Sequence, residues 1–395
     1  MGNQLKTLLS PITNRCLSLS LQCMGGLAVG LLSLPAQSQT PSPDRAISLE
    51  QQGDLAGAER EWRQWLQDHP MDAEAFASLG VLLSKERQYK DAAAAYRRAL
   101  TLNAKLRGIQ LNLGLAEFKQ GEFQAAIAPF RMALAAEPDN IQARTLLGLS
   151  YYGTKRFDEA VKHLEIAARS DATNLQLHHV LAQSCLWAKK YSCALDEFRK
   201  IQEQDPNSAA SHVLTAEALD GLGRTSEAIA EFQAAAKMAP REPNVHFGIG
   251  YLYWKQHKYD EAKSALEEEL AIDSTNSQAM AYLGDIAIKQ SDPEKALPLL
   301  KNALQLKGDL RIAYLDLGIL LADRKEFSNA LAALRRAEEL DPSQPDAHYR
   351  MGRIYKQMGN SAASEKEFAK VRELHEKDAV DIVHQMSNSP PPLKP

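Results

Sequence analysis

Cysteine is scarce in this chain, with four residues in 395. No two of them stand as Cys-x-x-Cys, which argues against a redox dithiol or a zinc ribbon. The phosphate-cradling P-loop, the Gly-x-Ser-x-Gly elbow and His-Glu-x-x-His are missing as well. Gly248-Ile249-Gly250 lacks the third glycine of a dinucleotide fingerprint and sits in a helical stretch. Charge of one sign is also lacking. The net charge of −4 gives no dense positive surface to neutralise phosphates, which argues against nucleic acid as a partner. The chain therefore reads as non-enzymatic, with no catalytic residue, no metal site and no cofactor.

What the sequence has is an internal period, and a period of this length decides the architecture. Stepping by 34 residues from Gly80 gives Gly114, Gly148, Ala182, Ala216, Gly250, Gly284, Gly318 and Gly352. Twelve residues after each small residue comes Ala92, Ala126, Ala160, Ala194, Ala228, Ala262, Ala296, Ala330 and then Ser364. Four further on stands a large apolar residue, as at Tyr96, Phe130, Leu164, Phe198, Phe232, Leu266, Leu300, Leu334 and Phe368. Small residues in two successive helices let their backbones approach, and the apolar residues form one stripe per helix. Glycine or a polar turn separates the helices, as at Gly121, Gly223 and Gly359. Proline ends many second helices, as at Pro138, Pro206, Pro240 and Pro342. One such pair cannot bury its stripe alone; stacked copies can.

In period, small-residue positions, aromatic position and terminal proline, this pattern resembles the tetratricopeptide repeat. The resemblance implies an all-α fold, a right-handed α-solenoid superhelix of about ten helix-turn-helix units. One register holds from 39 to 377 without insertion. Residues 39–72 form a partial capping unit, and 73–378 hold nine tandem units. Residues 379–395 are expected to form a short capping helix, on Val380, Val383 and Met386, followed by a proline-rich disordered tail. Trp62 and Trp65 in the partial unit are read as end-cap packing.

Residues 1–38 differ in kind. Lys6 and Arg15 precede an uncharged, leucine-rich run, and small residues Ala36 and Ser38 close it. This is the layout of a secretory signal cleaved after Ser38, which would leave the repeats periplasmic or secreted. Residues 16–34 are also just long enough for an uncleaved membrane anchor, so a membrane tether is the alternative.

The resemblance also implies where partners dock, because the first helix of each unit lines the concave groove. Its second, fifth, ninth and twelfth positions face inward. They are Leu111, Leu115 and Phe118 in one unit, Leu149 and Tyr152 in the next, then His179 and Gln183. Glu217 and Asp220 make an acidic patch; Phe247, Tyr251 and Trp254 make an aromatic stripe at i, i+4, i+7; and Tyr349, Arg353 and Lys356 make a basic end. The stripe reads as a docking site for an extended peptide or an amphipathic helix, unless neighbouring helices cover it. The clamp with which some family members hold a terminal carboxylate is not matched, since Arg350 and Arg353 lack partners in the preceding unit.

Two patterns invite over-reading. His178, His212, His246 and His348 share one register. Helices in contact lie about 8–10 Å apart, whereas ligands of one zinc ion sit about 3–4 Å apart, so these are packing residues. Cys185 and Cys193 are read as two small core residues, with a disulfide as the alternative in an oxidising compartment.

The function that follows is a protein–protein interaction scaffold, exported or membrane-tethered, that binds a partner's peptide or helix in the groove. The alternative is a structural assembly factor of a bacterial envelope, secretion or pilus complex that acts through oligomerisation. A ligand-sized pocket around Tyr251 and Trp254 would instead favour a small-molecule or glycan binder.

Overall fold

The computed structural model describes residues 41–388, with side chains through residue 377. The expected signal or anchor at 1–38 and the tail at 389–395 lie outside the described residues. No strand occurs among the described residues. The chain divides into two compact units, residues 1–206 and 207–395.

The first unit contains five helix pairs. They are α1 (Pro43–Gln51) with α2 (Leu55–Asp68), α3 (Ala73–Lys85) with α4 (Tyr89–Leu102), and α5 (Ile109–Gln120) with α6 (Phe123–Ala136). Then follow α7 (Ile141–Gly153) with α8 (Phe157–Ser170), and α9 (Leu175–Trp187) with α10 (Tyr191–Gln204). The second unit contains five more: α11 (Ala209–Gly221) with α12 (Thr225–Met238), α13 (Val245–Lys255) with α14 (Tyr259–Ile272), and α15 (Ser277–Lys289) with α16 (Pro293–Leu306). Its last pairs are α17 (Arg311–Asp323) with α18 (Phe327–Leu340), and α19 (Asp346–Gln357) with α20 (Ser361–Asn388). Residues 379–388 do not form a separate cap; they continue α20, which is 28 residues long.

Local chemistry sets these boundaries. Asp72, Asn140, Asn174 and Asn276 cap their helices by accepting a backbone N–H three residues on. The turn inside each pair needs one residue of positive φ, and it recurs at one register. Gly53, Gly121, Gly223 and Gly359 fill it in four pairs, and Arg87, Lys155, Lys189, His257, Ser291 and Lys325 fill it in the other six. Glycine suits this position, while an L-residue there costs about 1–2 kcal/mol.

The small-residue register marks the closest helix approach. A Cβ at Gly114 would lie 2.6 Å from the Phe130 ring, and one at Gly318 would lie 2.6 Å from Leu334. The register alanines Ala92, Ala126, Ala160, Ala194, Ala228, Ala262, Ala296 and Ala330 have no exposed surface. The first helices α3, α5, α7 and α9 pack in succession in the first unit, as do α13, α15, α17 and α19 in the second, and within each unit every second helix packs on the first helix of the next pair. First helices thus form the tighter, inner layer, and second helices the outer one.

A further sequence reading is revised. Cys185 on α9 and Cys193 on α10 are joined in a disulfide rather than standing as separate thiols, with Cα atoms 5.8 Å apart. That spacing is ordinary for a bridge and arises because the two helices of a pair converge at their turn. Trp62 is buried in the first pair, and Trp65 donates its indole N–H to Asp72 Oδ2 at 2.9 Å.

Candidate partner-binding face

The inner layer of the second unit carries the candidate site. Its first element is α13, which starts late because Pro243 precedes it. Asn244 has left-handed backbone and its side chain makes no cap. Instead Glu269, fully buried on α14, accepts from the backbone N–H groups of Asn244 (2.8 Å) and Phe247 (3.1 Å). A carboxylate at a helix N-terminus satisfies free donors and complements the dipole. This contact fixes the end of α13 that bears Phe247.

Phe247, Tyr251 and Trp254 then project along one face, each half-buried. Tyr282 of α15 stands against all three, with ring centroids 5.9, 5.4 and 4.9 Å away, respectively. The stripe is therefore not an open row on one helix but a four-ring cluster across two. Burial of Tyr282 pushes its hydroxyl pKa up to about 12, so the ring stays neutral. Trp254 donates its indole N–H to Asp285 Oδ2 at 2.5 Å, and Lys289 donates to Asp285 Oδ1. Lys289 also lies over the Trp254 ring at 5.8 Å, and Lys255, paired with Asp220, lies over Tyr251 at 5.7 Å.

Beyond Asp285 is Asp316 of α17, only 3% exposed, with Oδ2 unpartnered. Burial, and then the neighbouring Asp285, hold its carboxyl well above the usual range; Lys289 and Arg350 oppose this. On α19, Tyr349, Arg353 and Lys356 are exposed, and Asp346 pairs with Arg311. A small cleft of about 60 Å³ between α17 and α19 is lined by Arg350 and Arg353. Glu217 on α11 is open to solvent by area, yet the surrounding wall withholds enough water that desolvation raises its carboxyl pKa.

The inner layer of the first unit is different. Phe118, Leu149, Tyr152 and Gln183 are buried and do not face an open groove. Phe118 packs edge-on against Phe123 at 5.1 Å, and Tyr152 donates to Gln183 Oε1 at 2.6 Å. Tyr152 also stacks on Trp187 at 5.5 Å. Leu111, Leu115 and His179 are half-buried, and burial lowers the His179 pKa. These side chains are used up in packing between neighbouring helices.

The four register histidines do not converge. His178, His212 and His348 each contact the glutamate 19 residues on, Glu197, Glu231 and Glu367, while His246 contacts Glu268. Among the described residues no group of three or more ligating side chains could hold a metal ion. Sequence reading missed Tyr282 and Asp316. Both occupy the sixth position of their unit, as does Arg350, so the signal was a ladder at 34-residue steps one place outside the positions considered.

The tetratricopeptide repeat pattern matches overlapping stretches from 44–107 to 247–310, and again at 345–377; a TPR repeat pattern matches 320–359. The chain belongs to the tetratricopeptide repeat family. Its repeats form an interaction scaffold for protein partners. Anaphase-promoting complex subunit 3 of Schizosaccharomyces pombe is 25% identical over 134 residues, 34% of this chain. The match spans only 20% of that curated relative. In fold, the chain is similar to the APC/C hetero-tetramer Cut9–Hcn1, with a TM-score of 0.51 and 16% identity, over 84% of this chain and 72% of that one. YrrB, a TPR protein with an unusual peptide-binding site, aligns with 48% of this chain and 97% of its own, at 24% identity and a TM-score of 0.37.

Proposed function

We propose that the protein is a non-enzymatic scaffold that binds a peptide or helix of a protein partner on the inner face of its second unit. The observation that carries this reading is the four-ring cluster of Phe247, Tyr251, Trp254 and Tyr282, held half-buried beside charged groups. Aromatic rings fixed in this way offer large contact area at small entropic cost, which is the character of interface anchors. Tyr349, Arg353 and Lys356 are the basic end that orients an acidic segment of the guest.

The working compartment is outside the cytoplasm, by export or by a membrane tether through residues 16–34. The Cys185–Cys193 disulfide supports this, because such bridges persist in oxidising compartments. The basic, apolar and small-residue order of residues 1–38 supports it too. Among the described residues no helix is long and apolar enough to cross a membrane.

Peptide display against the full chain tests the binding reading. Selected peptides should lose binding to Tyr251→Ala and Tyr282→Ala, and acidic ones should weaken on Arg353→Glu. Peptides that bind all three variants unchanged would overturn it. Mass spectrometry of the mature N-terminus, after cell fractionation, tests the compartment. A soluble exported chain that starts at Gln39 means cleavage, and an intact Met1 in the membrane fraction means a tether. An intact chain in the cytosol would refute both.

A further inference from the structure

The aromatic row on α13 has a spacing of its own. Phe247 and Tyr251 are stacked, with ring centroids 6.3 Å apart and planes 20° from parallel. Tyr251 and Trp254 are stacked at 6.1 Å and 18°. Tyr282 meets Tyr251 and Trp254 edge-on, at 72° and 73°, and so walls off one side of the row. The three half-buried rings form near-parallel ridges with two shallow notches between them.

That spacing fits a polyproline II guest. This helix rises about 3.1 Å per residue with three residues per turn. Residues i and i+2 therefore lean to one side about 6.2 Å apart, while i+1 points away. Such a guest is stiff before it binds, so docking on aromatic rings costs it little entropy. The chain itself carries a segment of this kind. Residues 389–395 read Ser-Pro-Pro-Pro-Leu-Lys-Pro. Each proline fixes φ near about −65°, which favours polyproline II.

The copy that owns the row is too short to supply the guest. The 28 residues of α20 run about 42 Å, whereas the 14 residues of α18 run about 21 Å. Both helices begin at the same register, so residue 388 lies about 20 Å beyond the edge where α18 ends. Seven residues span at most about 25 Å. The return to that edge consumes most of this. The row then lies two and three inner helices back from α19, and each step is about 8–10 Å.

We propose that the aromatic row receives residues 390–395 of a second copy of this chain, with Pro390 and Pro392 in the two notches and Pro391 turned to solvent. The proposal rests on the inner-face reading above and names the occupant of that face. The contact runs from the tail of one copy to the inner face of the next. Such a head-to-tail contact does not use up both partners, so copies add in series.

Sedimentation velocity of the full chain, at rising concentration, tests this. The expected result is a mass that climbs past the dimer and falls when a synthetic peptide of residues 387–395 is added. The same peptide with alanine at 390–392 should have no effect. Two variants, Pro390→Ala/Pro391→Ala/Pro392→Ala and Tyr251→Ala, should each lose self-association. Mixed together they should give a one-to-one dimer, because one keeps the rings and the other keeps the tail. A chain that stays monomeric, or self-association that survives the triple proline variant, would overturn the proposal. Should Tyr251→Ala fail to fold, as judged by circular dichroism, the proline variant and the two peptides decide the matter. If the tail peptide fails while display-selected peptides still need Tyr251 and Tyr282, only the occupant is wrong and the inner-face reading stands. If neither binds, both fall.

Discussion

The indole N–H of Trp254 is held by the carboxylate of Asp285, 31 residues later on the next inner helix. The same carboxylate holds Lys289, whose ammonium lies over the indole ring. One acid thus locks both the ring and the cation above it. Asp285→Ala leaves a half-buried indole donor and an ammonium without their acceptor. Unsatisfied groups of this kind cost about 1–3 kcal/mol. Thermal denaturation should show a lower Tm, and quenching of Trp254 by acrylamide should increase. A Trp254→Phe background should shrink the Tm loss, because one of the two stranded donors is then gone.

Glu269 should matter for binding although it touches no guest. Its carboxylate caps α13 from beneath, at the residue that carries Phe247. Glu269→Ala removes three hydrogen bonds to the carboxylate, from the backbone of Asn244 and Phe247 and from the Asn276 side chain, and bonds of this kind contribute about 1.5–3 kcal/mol each. The start of α13 should fray. Amide hydrogen exchange over 244–249 should quicken, and affinity for peptides selected on the native chain should fall. Unchanged protection there would show that the cap is not what orders the helix.

Asp316 gives a pH dependence with a definite sign. Burial and Asp285 raise its folded pKa above that of the unfolded chain, where aspartate titrates near about 3.9. Above that pH the unfolded chain releases a proton that the folded chain still holds. The group therefore contributes nothing adverse below the unfolded pKa, and destabilises increasingly as pH rises from there to the folded pKa. Asp316→Asn should raise the urea midpoint at neutral pH and change it little under acid conditions near pH 3. A lower midpoint at neutral pH would mean that attraction from Lys289 and Arg350 outweighs burial.

The disulfide closes a short loop, with Cys193 eight positions after Cys185. On the chain-entropy account such a loop contributes about 2–3 kcal/mol. Reductant should lower the Tm of the native chain and leave that of Cys185→Ala/Cys193→Ala unchanged. The loss should fall mainly on α9 and α10, because repeat stability is close to a sum of local and neighbour terms. Exchange measured segment by segment will show whether it does.

Sequence alone determined the repeat, and hence the fold. Gly114 with Phe130, Ala126 beside them and the positive-φ turn at Gly121 all lie within one 34-residue unit, so their meaning is local and recurs in every copy. Tertiary structure decided which inner positions stay open. Phe118 and Trp254 hold equivalent places on their helices, four repeats apart, yet Phe118 is buried against Phe123 and Phe130, while Trp254 stays half-exposed against Tyr282. It also decided that Tyr282 completes the aromatic cluster and that Asp316 is stranded beside Asp285. The reason is the same in each case. A periodic pattern specifies how one pair folds, whereas exposure and partnership depend on side chains contributed by the next pair, which vary from copy to copy.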